Sequence, residues 1–308
     1  MRIAIFGTGG VGGYFGGLLA HAGHSVTFIA RGEHLRAIRQ EGLRVRSVNG
    51  DFMIRPAQAT DLPAEVGPVD YVVVGLKHYH LAQAAPQIRP LVGPETTVVP
   101  LLNGVDAHQP LVEAVGAGPV VGGLCSLVSL IEAPGVIRQE SILRRVVVGE
   151  LDRRKSDRVE RLVQAWAAAG AEAIHVEDIH VALWTKFVFI ASFGGVTALA
   201  RCTAGELLAS PETRELFVKA MREVEAVARA RHIELAPDAV EQGLSIAVAF
   251  EPTATSSMQR DVEAGKQFEL EAFSGTVVQL GVEAGAATPV HRMIYALLFP
   301  ALKRAQPA

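Results

Sequence analysis

The first seventeen residues, MRIAIFGTGGVGGYFGG, leave few folds open to this chain. Arg2 to Phe6 reads as a short apolar strand, and Gly7-Thr8-Gly9-Gly10-Val11-Gly12 follows it with the spacing G-x-G-x-x-G. Each glycine in that spacing has its own task. Gly7 permits the tight turn out of the strand, Gly9 lets backbone approach a pyrophosphate, and Gly12 lets the next helix pack closely on the sheet. The helix offers its free N–H groups and positive dipole end to the anion. Thirty glycines make chance spacings common, so context decides. A helix-compatible run from Val11 to Ala22 ends at Gly23, and a second apolar run, Ser25 to Ala30, completes a β-α-β unit. The whole turn from Gly7 through Thr8, Gly9, Gly10 and Val11 to Gly12 is therefore the candidate dinucleotide site.

The end of the second strand bears on which dinucleotide. An NAD site usually carries Asp or Glu there to accept from the ribose 2′-OH, whereas this strand runs into Ala30-Arg31-Gly32. Arg31 cannot accept, but its planar fork matches a 2′-phosphate. NADP(H) is the expected cofactor, with Glu33 left as a residue that could still face a ribose.

A length of 308 residues suits two domains rather than one core. The net charge of -3 argues against a nucleic-acid partner, and no run of eighteen uninterrupted apolar residues suggests a membrane span. Cys125 and Cys202 lack ligand spacing and sit among apolar residues, as buried reduced thiols of a cytoplasmic protein would. The strand starting at residue 2 reads as structure and not as a cleavable signal. Neither the cysteines nor the scattered histidines, His78, His80, His175, His180 and His291, form a metal-binding pattern.

Further along, His34 to Glu41 reads as a helix, and Leu43 to Val48, Asn49-Gly50 and Phe52 to Arg55 read as an antiparallel insertion. Parallel strands resume at Val69 to Leu76 and Thr96 to Leu102, ending in Lys77 and in Asn103-Gly104. Ligands of open α/β sheets bind outside the carboxyl ends of strands, which makes Lys77 and Asn103 candidates to touch cofactor or substrate. Strand-like runs follow at Val120 to Ile131 and Leu143 to Gly149, then a helix at Ser156 to Ala169 and a last strand at Ile174 to Val176. Beyond Asp178 the periodicity is helical, with proline near the first turn at Pro211, Pro237 and Pro289. The expected organisation is a Rossmann-type parallel-sheet domain over 1–178 and an all-helical domain over 179–308.

One lysine stands out in the helical part. From Val181 to Phe193 the chain is apolar on nearly every helical face except at Lys186. A lysine held in such surroundings either meets a carboxylate or loses its proton, which suits acid–base work; the alternative is a side chain that snorkels to the surface. Glu269 or Glu271, in a stretch read as another helix from Gln267 to Phe273, could supply the carboxylate. Two residues apart on a helix, only one of them can face inward.

Taken in order, the GTGGVG start, Arg31, Leu76-Lys77, Leu102-Asn103-Gly104, Leu183-Trp184-Thr185-Lys186, Ser256-Ser257-Met258 and Glu269 resemble the ketopantoate reductase family over almost the whole chain. The resemblance implies an NADPH-dependent 2-dehydropantoate 2-reductase of the pantothenate pathway, with a Rossmann domain, a helical domain and an active site between them. It implies that Lys186 is the general acid, that Asn103 orients nicotinamide and substrate, that Glu269 holds the lysine or a substrate hydroxyl, and that Ser257 binds the substrate carboxylate. The partner so implied is a small 2-oxo acid. Exposed helices in such second domains often pair, so a homodimer is the expected assembly.

The departures fall in the substrate-binding positions. Where the family commonly has asparagine, this chain has Ile190, Gly194, Ala204 and Ala254, with Gly195 in place of the proline after the second. A pocket short of these groups should grip a polar substrate less well. Either Ser192, Thr197 or Arg201 substitutes for them, or the substrate is another, less polar 2-oxo acid or ketone. A dehydrogenase working in the oxidative direction and a non-catalytic NADPH sensor are the remaining readings.

Overall fold

The computed structural model describes residues 1–306. The chain forms two compact units, Met1–Ile179 and His180–Ala308.

The first unit contains, in order, β1 (Arg2–Phe6), α1 (Gly10–His21), β2 (Ser25–Ile29), α2 (Gly32–Glu41), β3 (Leu43–Ser47), β4 (Phe52–Ile54), β5 (Gln58–Thr60), β6 (Tyr71–Val74), α3 (Leu81–Ala84), β7 (Thr97–Pro100), α4 (His108–Val115), β8 (Gly122–Ser126), β9 (Ser129–Ala133), β10 (Val136–Gln139), β11 (Arg145–Gly149), α5 (Asp157–Ala168) and β12 (Glu172–His175). Its main sheet is parallel throughout, in the order β5-β2-β1-β6-β7. The central strand shows why its sequence is continuously apolar. Ile3 and Ile5 enter the core on one face, and Ala4 and Phe6 enter the core on the other. A bridge between Val98 and Val120 carries the sheet onward to β8, which pairs antiparallel with β11, itself parallel to β12.

The residues expected to form an antiparallel insertion do pair as β3 and β4. They also join a sheet the sequence reading did not anticipate, ordered β4-β3-β10-β9. The run Val120 to Ile131, read as one strand-like stretch, is two strands in two different sheets, β8 and β9. Helix α1 lies between this second sheet and the main one. Its glycines make that possible: a Cβ on Gly16 would sit 2.4 Å from Ile5 of β1, and a Cβ on Gly13 would sit 2.6 Å from Ile137 of β10. Gly12 is the tightest contact toward the main sheet, where a Cβ would come within 2.2 Å of the Gly7 carbonyl oxygen and 2.9 Å of Ile5. Gly12→Ala should therefore cost about 2–3 kcal/mol of stability, because backbone and not a flexible side chain must yield. Urea unfolding of the variant beside wild type measures this.

The second unit is helical: α6 (Ile179–Ala200), α7 (Ala204–Ala209), α8 (Pro211–Ala230), α9 (Ala239–Val248), α10 (Ser257–Glu263), α11 (Thr276–Ala284) and α12 (Pro289–Ala305). By length and composition α6 could cross a membrane, with a mean hydropathy of 1.5, but 67% of its apolar window is buried within the protein. A capping box closes the start of α7, where Thr203 Oγ1 accepts from Glu206 N–H and Glu206 accepts from Thr203 N–H. The start of α12 is capped from a distance. The buried Glu223 of α8 accepts the backbone N–H groups of Val290 at 2.7 Å and His291 at 2.9 Å, placing negative charge at a helix N-terminus.

His291 itself is wholly buried, with Nδ1 3.2 Å from Ser274 Oγ and Nε2 3.2 Å from the Ala220 carbonyl. Burial lowers its pKa from 6.5 to about 4, against the opposing pull of Ala220. Between those two values the unfolded chain takes up a proton that the folded one refuses. The stabilisation is complete above about pH 6.5 and is lost as pH falls towards 4, reaching a deficit of about 3 kcal/mol. Urea unfolding from pH 7.5 to 4.5 should show this slope, and His291→Gln should flatten it.

Candidate active site

The turn after β1 is held from beneath by a single carbonyl. Ile29 O, at the end of β2, accepts from Gly7 N at 3.3 Å, Thr8 N at 3.1 Å and Thr8 Oγ1 at 3.0 Å. The Thr8 side chain, 4% exposed, is thus spent on the shape of the turn. Gly7 has φ +99°, a left-handed conformation that glycine tolerates best. Gly9 is different, since a Cβ there would find only the Gly75 carbonyl oxygen at 3.8 Å. No close protein neighbour demands a glycine at that point. An open approach beside the first turn of α1, which has no side-chain cap, fits a pyrophosphate. Val11 and Gly12 follow in that first turn, while Gly10 is closed in by the Ser129 backbone, 2.3 Å from where its Cβ would lie.

At the ends of the neighbouring strands lie the other candidates of this unit. Arg31 is exposed, occupies the residue just before α2 without a side-chain capping bond, and donates to Gln87 Oε1 at 3.0 Å. Glu33 is turned to Arg36, 3.4 Å away. His80 sits near enough to Arg31 that burial first and then the arginine's charge lower its pKa. Lys77 follows Gly75-Leu76 beyond β6, and Asn103 follows Leu101-Leu102 beyond β7, just before Gly104 with φ +102°. Those two strand ends are tied together by His78 Nε2 and Asp106 Oδ1, 2.9 Å apart. Burial opposes ionisation of Asp106, but the hydrogen bond and charge of His78 outweigh it and hold the carboxyl below its usual range.

In the helical unit, Lys186 lies half-buried in α6. The stretch from Gln267 is not the helix expected. Helix α10 ends at Gly265, φ +63°, where Lys266 N bonds back to Asp261 O and Gly265 N to Val262 O. That left-handed exit carries the chain into an irregular segment and then a single π-helical turn, Glu271–Gly275. One glutamate faces inward all the same: Glu269 is 5% exposed, whereas Glu271 is at the surface and accepts from Tyr295 Oη at 2.8 Å. Ser257 is exposed at the first position of α10, and its neighbour Ser256 caps that helix and lies 2.9 Å from Thr197 Oγ1.

The substituted positions are packed rather than vacant. Ile190 follows Lys186 by one turn on the same face of α6 and is half-buried. A Cβ on Gly194 would lie 3.0 Å from the Phe273 ring, and one on Gly195 would lie 3.1 Å from Ile294. Ala204 N donates to Ala254 O at 2.9 Å, so those two positions are adjacent. Ser192 is sealed in the interior, Thr197 is engaged with Phe193 O at 2.7 Å and with Ser256, and Arg201 lies beyond the end of α6.

The family model described as "Ketopantoate reductase PanE/ApbA" matches residues 3–153, and its C-terminal counterpart matches residues 178–300. The chain belongs to the ketopantoate reductase family. A 2-dehydropantoate 2-reductase of Mesorhizobium japonicum is 31% identical over 97% of this chain and 97% of that protein. An uncharacterized oxidoreductase of Bacillus subtilis, YkpB, is 30% identical over 97% of this chain and 98% of its own. The crystal structure of 2-dehydropantoate 2-reductase from Geobacter metallireducens superposes with a TM-score of 0.92 at 33% identity, covering 98% and 100% of the two chains.

Membership of the ketopantoate reductase family makes this protein a pyridine nucleotide-dependent oxidoreductase acting on CH–OH groups. Sequence reasoning passed over three features of the first unit. Gly75 lets the end of β6 close on the glycine turn, since a Cβ there would meet Gly12 at 2.9 Å; the Val-Val-Val-Gly ending of the strand was its only signal. The His78–Asp106 pair had none, because 28 residues separate its members. Ser129 touches Gly10 across 119 residues, with Oγ donating to Gly10 O at 3.0 Å.

Proposed function

We propose that the protein reduces a small 2-oxo acid to the 2-hydroxy acid with NADPH, with ketopantoate as the first substrate to consider. Lys186 is the observation that carries this reading: a half-buried amine, the one Lys, Arg, Asp or Glu on a mainly apolar 22-residue helix, in the same unit as the buried Glu269. Bound NADPH would supply the hydride. Residues 1–178 would hold it, with Gly7 to Gly12 at the pyrophosphate and Arg31 at the 2′-phosphate. Lys77 and Asn103, at the carboxyl ends of β6 and β7, would face the rest of the cofactor and the ketone.

Reduction of a ketone creates negative charge on oxygen. In this reading Lys186 stabilises that charge as it develops and then protonates the oxygen. Glu269 holds the ammonium or a substrate hydroxyl, Asn103 orients the carbonyl, and Ser257 receives the substrate carboxylate.

The surroundings of Lys186 favour a second reading of the substrate. Ile190, one turn away on the same face, offers only hydrocarbon, and the Phe273 ring stands where a side chain at 194 would begin. A 2-oxo acid with an apolar side chain suits such surfaces better than one whose hydroxyl needs a partner. NADPH oxidation by the purified protein, followed by absorbance with ketopantoate and with branched and aromatic 2-oxo acids, tests both. Turnover fastest with ketopantoate supports the first reading, and turnover confined to the apolar acids supports the second. NADPH binding without turnover on any of them removes both readings in favour of a sensor.

A further inference from the structure

The chain enters α11 through the π-helical turn, and that turn has partners beyond its own backbone. Within it Gly275 N donates to Leu270 O at 2.9 Å, five residues back, while Phe273 N donates to Glu269 O at 3.1 Å. Each residue of an α-helix advances the chain by about 100°, so the residue gained in a π turn offsets Glu269 by about that angle from where a regular helix would hold it. The direction in which Glu269 faces therefore depends on the turn keeping its register.

Helix α12 holds the turn at two residues four positions apart on one of its faces. Tyr295 Oη donates to Glu271 Oε1 at 2.8 Å at the surface, and His291 Nδ1 lies 3.2 Å from Ser274 Oγ in the interior. The neutral imidazole has one way to make its bonds. A carbonyl can only accept, so Nε2 carries the proton and donates to Ala220 O at 3.2 Å, and Nδ1 accepts the Ser274 hydroxyl. The backbone N–H of His291 is bound in turn by Glu223 Oε2 at 2.9 Å. Ala220 and Glu223 are three residues apart on α8, so that helix fixes both the backbone and the ring of His291 and leaves Nδ1 presented to the π turn. Helix α6 is close as well: a Cβ on Gly195 would lie 3.1 Å from Ile294 of α12 and 3.4 Å from Ser274 Oγ.

We propose that His291, with Tyr295 beside it on α12, is a positioning residue for Glu269: through Ser274 and Glu271 the two hold the π turn in register, and the turn fixes how Glu269 stands in the helical unit. This rests on the proposed role of Glu269 in the reaction. In that reading residues 1–178 hold the nucleotide, so loss of the brace falls on turnover and not on NADPH binding.

The test is a double-substitution cycle of Ser274→Ala with Glu269→Gln, read as kcat/KM for the 2-oxo acid that wild type reduces fastest, beside titration of NADPH. Ser274→Ala removes the hydroxyl that His291 accepts. It should lower kcat/KM about tenfold and leave the NADPH dissociation constant within about twofold. In the Glu269→Gln background, where the amide keeps the shape of the side chain but not its charge, the same substitution should change kcat/KM by less than about twofold. Losses that multiply in the double variant are those of a merely structural contact, and they overturn the proposal. Wild-type kcat/KM in Ser274→Ala overturns it too. Glu269→Gln with wild-type turnover ends the role of Glu269 and this proposal with it, and leaves Lys186→Ala to decide the proposed function. A wild-type protein that reduces no 2-oxo acid removes that function and the brace together. Should Ser274→Ala fail to fold, Tyr295→Phe, which removes only the surface bond to the same turn, goes through the same cycle. A loss of about threefold that disappears in Glu269→Gln is then the expected result, and no loss, or one that multiplies, overturns the proposal.

Discussion

Lys186→Ala is expected to lower kcat by about two or more orders of magnitude while leaving NADPH binding nearly intact. The size follows from what the ammonium is proposed to do. It meets charge that exists on the substrate oxygen only as hydride arrives, so its loss falls on the chemical step and not on the ground state. Stability should suffer little, because α6 is built from its apolar residues and alanine is a better helix former than lysine. Steady-state kinetics with saturating NADPH, beside a direct binding titration, separates the two effects. A variant with near-normal turnover would end the assignment of Lys186 as proton donor.

Arg31→Ala should separate the two nicotinamide cofactors. A charged hydrogen-bonded contact to phosphate contributes about 1.5–3 kcal/mol, so NADPH affinity should fall about 10- to 100-fold. NADH, which has no 2′-phosphate, should lose at most about twofold by the same reasoning. The partner Arg31 has in the structure, Gln87, is neutral, so exchanging it for a phosphate gains charge complementarity. Equal losses for the two cofactors would mean that Arg31 serves the turn and not the phosphate.

The elements that the sequence made legible are those whose cause is local. The glycine turn, β1 and β2 could be read because a both-faces-buried strand is apolar without interruption and the glycine spacing is short. The end of the Rossmann-type domain could be read as a change of period near Asp178. What remained hidden depends on residues far apart. Nothing in Val120 to Ile131 marks the point at which the chain leaves one sheet at Ser126 and enters another at Ser129, since both strands are apolar. The pairing of β10 with β3 joins Val136 to Arg44 across 92 residues, and neither strand advertises its partner. The stretch from Gln267 to Phe273 misled because its composition suits a helix, while the left-handed turn at Gly265 decides the path into it. Lys186 was legible as an exception to its surroundings.

The seating of α1 also bears on how the protein can be made. Trp166 of α5 is fully buried, its indole N–H donates to the Phe15 carbonyl of α1 at 3.3 Å, and its ring lies edge-on to Phe15 at 6.2 Å. The helix that follows the glycine turn is thus completed by a residue synthesised 151 positions later. A nascent chain that has emerged only through β7 holds the whole glycine motif, but has neither β10 nor α5 to cover the helix behind it. Its long loop closures must be made before those contacts reward them, which slows folding and leaves apolar surface bare in the meantime. The smallest fragment expected to fold and bind a nucleotide is accordingly the full span to about residue 179, well beyond the β-α-β unit that carries the motif.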